Sequence, residues 1–185
     1  MLLKPLVLSV CESESPGGGT RCSCPFCGVR LAEWREPLFH AEGFDEASCA
    51  PCSLVRHLER ETIAEEAVLI WLPEMTQSAL NALANRAHRL LAAEGALYLA
   101  ASPFSVTSGD RPNPALEAIR AIAMRSVEAE ARFGTASPRV LGEVLLRAGP
   151  KLYAERAKRL GGLRLWPRGR FFVAGEDVYP RLIAA

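Results

Sequence analysis

The chain lacks the motifs that announce most hydrolases and nucleotide-binding proteins. It has no G-x-S-x-G nucleophile turn, no phosphate-cradling glycine loop and no H-E-x-x-H pair, and it holds only 3 histidines in 185 residues. No apolar run reaches the roughly 20 residues needed to cross a bilayer as a helix. The apolar start, residues 2–10, is short, interrupted by Lys4 and Pro5, and followed by no small-residue cleavage site, so it does not read as a secretory signal. Internal repeats are absent, and low complexity is confined to Gly17-Gly18-Gly19 and its surroundings. With 49% hydrophobic and 23% charged residues the chain should fold, either as one domain or as a small module joined to a larger one. The expected location is the cytoplasm, whose reducing conditions keep thiols available for metal.

What is present is cysteine, in a particular arrangement. Cys24-Pro25-Phe26-Cys27 and Cys49-Ala50-Pro51-Cys52 are separated by 21 residues. A C-x-x-C turn brings two sulfurs within reach of one ion, and two such turns supply the four thiolates of a tetrahedral structural zinc site. Cys24, Cys27, Cys49 and Cys52 are therefore the expected ligands of one Zn2+, which can contribute on the order of 10 kcal/mol to the folding of a small module. A redox pair is the competing reading. It expects one C-x-x-C in a strand-to-helix setting, whereas Pro25 and Gly28 suit a tight knuckle. Cys22 lies two residues before Cys24 and could replace it in a shifted register; Cys11 reads as an ordinary thiol.

The net charge of +1 conceals a division: residues 1–110 carry 8 Lys/Arg against 14 Asp/Glu, and residues 111–185 carry 14 against 7. A basic half of this kind admits an acidic partner, nucleic acid included, or simple attraction between the halves. A nucleic-acid grip is the less favoured option, because no array of stacking aromatics accompanies the charge.

Hydrophobic periodicity predicts a strand over residues 3–10, a short hairpin over 29–39, and a helix opening at the second knuckle with Leu54, Val55, Leu58 and Ile63 inward. Knuckle, hairpin and second knuckle at a helix start is treble-clef order. The run Ala67-Val68-Leu69-Ile70-Trp71-Leu72, closed by Pro73, reads as a buried strand. Thr76 is the expected N-cap of a helix whose apolar face is Leu80, Leu83, Ala84, Ala87, Leu90 and Leu91, ending near Gly95. A helix over 114–133 should bury Leu116, Ile119, Ala123 and Val127 and stop at Gly134. Another from Ser137-Pro138 presents Leu141, Val144, Leu145 and Ala148, and a basic helix over 151–160 ends at Gly161-Gly162. Residues 163–167 and 171–173 read as extended. The carboxylates Glu59, Glu61, Glu65 and Glu66 read as solvated charge.

Paired cysteine knuckles in treble-clef order also frame HNH endonucleases, which add a general-base His, an Asn that positions it and a polar ligand for a second, catalytic ion. His40 lies where the base could sit. No Asn occurs between Gly28 and Cys52, however, Ser53 follows the second knuckle, and His57 is five residues past Cys52, off its helical face. Two of the three parts are missing, so an enzyme is not expected; an HNH-like zinc nuclease or DNA-binding module is the alternative.

Several segments together resemble one family. Cys24-Pro25-Phe26-Cys27-Gly28, the second knuckle, Leu69-Ile70-Trp71-Leu72-Pro73-Glu74-Met75-Thr76-Gln77 followed by Leu80-Asn81-Ala82-Leu83, Arg132-Phe133-Gly134 and Leu163-Arg164-Leu165-Trp166-Pro167 are similar, in order and rough spacing, to the IcmJ/DotN proteins of type IVB secretion and conjugation systems. The resemblance implies a non-catalytic zinc protein with a degenerate HNH-like core. It would sit at the inner membrane through the coupling complex, bind the cytosolic C-terminal tail of the coupling ATPase beside other subunits, and help recruit effector or plasmid substrates. The glycine-rich insertion before the first knuckle, a shorter chain and His40 depart from the family and leave DNA-related roles open. The expected fold class is α+β, with a zinc treble-clef module over residues 1–72 and a mainly helical region over 73–185 packed on it as one unit. Trp34, Trp71 and Trp166 are the first candidates for partner anchors, with core packing the safer reading for Trp71 and Trp166. Glu74 and Thr76 are read as helix-start residues ahead of partner contacts.

Overall fold

The computed structural model describes residues 3–11, 23–29, 48–102 and 113–184, and these combine helices with small antiparallel strand pairs. The β-prone run forms strand β1 (Ala67–Trp71), which pairs antiparallel with β2 (Leu163–Pro167) in the register Ala67↔Pro167 to Trp71↔Leu163. Leu72 N donates to Gly162 O (2.8 Å) and Arg168 N to Glu66 O (2.7 Å), extending the pairing at both ends. On the outer edge of β1, Trp71 N donates to Arg125 O (3.1 Å) and Leu69 N to Ala136 O (2.9 Å). Both edges of this strand are thus occupied, which removes a template for pairing with other chains. Gly162 permits the close crossing here: at φ +88° it takes a left-handed conformation, and an added Cβ would overlap the Trp71 indole.

Helix α1 (Ala50–Arg56) opens at the second knuckle, and a short α2 (Ile63–Glu66) leads into β1. The long α3 (Gln77–Ala93) is capped as expected, with Thr76 Oγ1 accepting from Ala79 N at 3.2 Å. It packs on α1, on β2 and on the C-terminal α10 (Tyr179–Ala184). One apolar core runs from Leu8 through Leu54, Leu69, Leu80 and Ile119 to Ile183, drawing on residues before and after position 73, and a second, smaller cluster surrounds the cysteines. None of the described helices is long and apolar enough to cross a membrane.

Several expectations are corrected. Residues 3–10 form no strand, because their polar groups are taken elsewhere. Lys4 N donates to Pro25 O (2.9 Å), and Ser9 N donates to Val55 O in the last turn of α1 while Ser9 O accepts from Leu58 N just past it (3.0 and 3.1 Å). Tyr153 and Arg156 clamp the same segment through Val10 and the Ser9 hydroxyl. The helix expected over 114–133 is two, α5 (Pro114–Ala123) and α6 (Ser126–Phe133), following the short α4 (Tyr98–Ala101). The turn at Met124-Arg125 lets the Arg125 carbonyl cap β1 while its guanidinium reaches both Glu74 oxygens at 3.1 Å. That turn shifts the helical phase and leaves Val127 64% exposed, not inward. On α7 (Pro138–Arg147), Leu141 and Leu145 are buried but Val144 is 54% exposed. Leu90 of α3 is likewise exposed.

The basic helix over 151–160 divides into α8 (Pro150–Ala154) and α9 (Arg156–Arg159), where the Arg156 guanidinium takes the Tyr153 carbonyl at 3.1 Å. A final hairpin, β3 (Phe172–Val173) with β4 (Glu176–Asp177), turns through Ala174 and Gly175, both at positive φ. Trp166 is fully buried, edge-on to His88, and Trp71 is half-buried under the Arg132 guanidinium at 4.5 Å, so both serve packing. The expected hairpin over 29–39, with Trp34, lies outside the described residues apart from Val29.

His88 adds a pH-sensitive element to this core. It is fully buried, its Nδ1 pairs with Tyr179 Oη at 2.8 Å, and its Nε2 has no partner among the described residues. Burial lowers its pKa from 6.5 to about 4. The unfolded chain therefore takes up this proton first as pH falls. Stability from neutral His88 is complete above about 6.5 and declines down to about 4, a loss of about 3 kcal/mol. Urea midpoints across that window should converge for wild type and His88→Gln, with the variant lacking this component of the slope; parallel pH profiles would refute it.

Candidate metal centre

The first knuckle is built by its own backbone. Gly28 N donates to Cys24 O (2.9 Å) and Cys24 N to Val29 O (2.8 Å), and the chain reverses at Gly28 with φ +74°. A side chain is rarely accommodated at that φ, which is why glycine follows the C-x-x-C turn. The second knuckle is the start of α1. Cys49 is the N-cap, Pro51 lies in the first turn, and Cys52 N and Ser53 N both donate to Cys49 O at 2.9 and 3.0 Å. Arg56 of α1 stacks over the Phe26 ring at 4.7 Å, joining the two knuckles outside the sulfurs.

The knuckles bring Cys24, Cys27, Cys49 and Cys52 together, with ligand atoms all within 4.8 Å of one another and all four residues buried. Cys27 Sγ and Cys49 Sγ are 3.5 Å apart, too far for a disulfide, and all four thiols are free. Metal–sulfur bonds of about 2.3 Å in a tetrahedron require sulfur separations of about 3.8 Å, so the set fits one four-coordinate ion without rearrangement of the backbone. Soft thiolate donors select zinc or iron–sulfur chemistry over calcium or magnesium.

The electrostatics of the four thiols favour the same conclusion. Cys24 is held far below the usual thiol range because its sulfur accepts hydrogen bonds from Cys27 first, then from Cys49 and Cys52. Cys49 and Cys52 are pushed well above that range, foremost by giving their protons to Cys24, with burial adding to the effect. Cys27 is lowered too, since against its bond to Cys24 its sulfur accepts from Cys49 and Cys52, so the cavity by itself favours negative charge at the first knuckle and resists it at the second. A bound dication reverses that resistance, because each further thiolate then gains a bond to positive charge.

Two further hydrogen bonds reach the sulfurs: one from within the second knuckle, Cys49 N to Cys24 Sγ at 3.5 Å, and one from outside both knuckles, Asn81 Nδ2 to Cys52 Sγ at 3.3 Å. Asn81 is fully buried on α3, and neither it nor its partner Gln77 belonged to the expected site. Their signal in the sequence was positional: Gln77, Asn81 and His88 are polar residues on the same stripe as buried Leu80, Ala84 and Leu91. Cys22 and His40 lie outside the described residues. Cys11 is exposed and takes no part in the cluster. His57 turns to Glu59, its Nδ1 2.9 Å from Oε1. The carboxylates expected to be solvated include one that is not: Glu66 is fully buried and paired with Arg60.

The fold and site define a protein of mixed helix and sheet with a buried, four-cysteine candidate metal centre in its N-terminal region. In comparisons with known protein families and with curated proteins, no family model and no curated protein matches the chain.

Proposed function

We propose that the chain is a non-catalytic, zinc-stabilised adaptor, in which the two knuckles form a degenerate HNH-like treble clef and the remainder receives a partner's tail. The observation that carries the metal half of this reading is the convergence of four buried cysteines. Four protein thiolates complete a tetrahedral zinc, leaving no position for water or substrate, so such an ion builds structure and performs no chemistry. A knuckle closed by Gly28 and a second knuckle at the head of α1 support the treble-clef assignment.

The partner half rests on the resemblance to the IcmJ/DotN proteins. It implies the cytosolic C-terminal tail of a type IV coupling ATPase as partner, within a type IVB secretion or conjugation complex at the inner membrane. A shallow cleft at the start of α8, lined by exposed Leu152, by Lys151 and by the Glu155–Arg159 pair, supplies apolar contact and charge of the kind that holds an extended tail.

The test is a pull-down of the tagged protein from its own cells, with metal analysis of the same sample. A coupling ATPase recovered with about one zinc per chain supports the adaptor. Nucleic acid recovered instead, with divalent-ion-dependent cleavage abolished by His40→Ala, overturns it in favour of a nuclease.

A further inference from the structure

We propose that Asn81 and Gln77 form a positioning relay for the metal centre, in which the Asn81 amide donates to the Cys52 thiolate and is held in that orientation from the backbone of β2. This inference rests on the four-cysteine zinc reading and extends it to residues outside both knuckles.

The relay is a continuous chain of short contacts. Leu165 N donates to Gln77 Oε1 at 2.9 Å, and Gln77 Nε2 donates both to Leu165 O and to Asn81 Oδ1 at 2.8 Å. Asn81 Nδ2 then donates to Cys52 Sγ at 3.3 Å. Amide oxygen and nitrogen are assigned here by their partners. A backbone N–H can only donate, so Leu165 N fixes the Gln77 oxygen towards the strand. The Gln77 nitrogen must then face Asn81, whose oxygen accepts from it. The Asn81 N–H2 is left pointing at the sulfur. The polarity of the whole chain is therefore set by β2 and delivers a donor, never an acceptor, to Cys52.

Chemistry gives such a donor a specific use. Four thiolates around a dication carry a net charge of about −2 in a buried site, and N–H groups directed at sulfur offset that excess. Cys24 obtains its donor from within the knuckles, from Cys49 N. Cys52 obtains its donor from α3, 29 residues along the chain. An apolar residue would fill the space beside Leu80 and Ala84 as well; only a donor answers the charge. The same contacts tie α1, α3 and β2 to a single ion, so the ion's presence bears on the sheet as well as on the knuckles.

Asn81→Asp isolates the sulfur contact, since it keeps the shape and the acceptor for Gln77 but sets an acceptor against Cys52. Gln77→Leu keeps Asn81 and removes its anchor. Purified full-length proteins are compared in two measurements: chelator competition for Zn2+, and the sulfur-to-metal charge-transfer band after Co2+ substitution. Asn81→Asp is expected to weaken zinc retention about 10- to 100-fold and to move the band to lower energy, because a sulfur without its donor releases charge more readily. Gln77→Leu should shift both readings in the same direction by less. Should Asn81→Asp fail to fold, Asn81→Ala is read in its place. A folded Asn81 variant with wild-type zinc retention and an unmoved band, even with a lowered unfolding midpoint, overturns the relay and leaves a packing role. A wild-type protein that takes up no Zn2+ overturns the metal reading and the relay together.

Discussion

Removing zinc from the reduced protein with a tight chelator is expected to dismantle the region around residues 23–29 and 48–56, with loss of near-ultraviolet dichroism and a large fall in urea midpoint. The four sulfurs converge in a buried site whose own electrostatics resist negative charge on the second knuckle, at Cys49 and Cys52. Without a cation Cys49 and Cys52 stay protonated, and the knuckles are left with a few backbone bonds, the Asn81–Cys52 contact and the Phe26–Arg56 stack. Structural zinc in small modules contributes an apparent free energy on the order of 10 kcal/mol near neutral pH. Because binding displaces thiol protons, retention should weaken as pH falls. Cys52→Ser should abolish stoichiometric binding. Cys24→Ser should do the same while Cys22→Ser retains zinc; equal retention in the two would contradict Cys24 as a ligand. A chelated protein with unchanged dichroism and midpoint would show that the core folds without help from the knuckles.

The second large effect is expected at Glu66. Its carboxylate is wholly buried and accepts from Arg60 Nε and Nη2 at 2.9 and 2.7 Å and from Phe172 N at 2.7 Å. Arg60 in turn stacks over Phe171 at 4.3 Å and donates to Phe172 O at 2.7 Å. One carboxylate thus fastens the C-terminal hairpin to the junction of α2 and β1. Glu66→Ala leaves a half-buried guanidinium and a backbone N–H without their acceptor, which for buried pairs costs about 3–5 kcal/mol. Equilibrium denaturation in urea should show that loss; a change under about 1 kcal/mol would mean the pair is no stronger than a surface bridge. Glu66→Gln, which keeps an acceptor for Phe172 N, should lose less.

Local chemistry explains which of these features could be read before the structure. The cysteine pairs were legible because a C-x-x-C spacing is itself a geometric statement, and the structure places all four sulfurs together. Strand β1 was legible because an unbroken β-prone run ended by proline admits few alternatives. The helix starts after Thr76 and at Pro114 and Pro138 were legible from a capping hydroxyl in the first case and from proline in the first turn in the others. What escaped depended on distant partners. The break at Met124-Arg125 exists because Arg125 is wanted by Trp71 and Glu74, some 50 residues earlier in the chain. Residues 3–10 carry strand-like side chains, yet their backbone groups are claimed by Pro25, Val55 and Tyr153. Glu66 looks like any acidic residue at a helix end until Arg60 and Phe172 surround it. Gln77 and Asn81 were in view as part of a motif, but their use of β2 backbone and a cysteine sulfur needed the fold.

The pairing of β1 with β2 also governs how the protein is made. Residue 71 leaves the ribosome long before its partner at residue 163. At about 5–20 residues per second, synthesis of the intervening chain occupies about 5–20 s, during which an apolar strand waits with no complementary edge. The second knuckle is complete by residue 52, so metal can organise the beginning of the chain while that strand is still alone. Cells short of zinc would then release nascent chains with both features unprotected at once. Yield during expression should respond to the metal supplied while translation proceeds, more than to metal added afterwards.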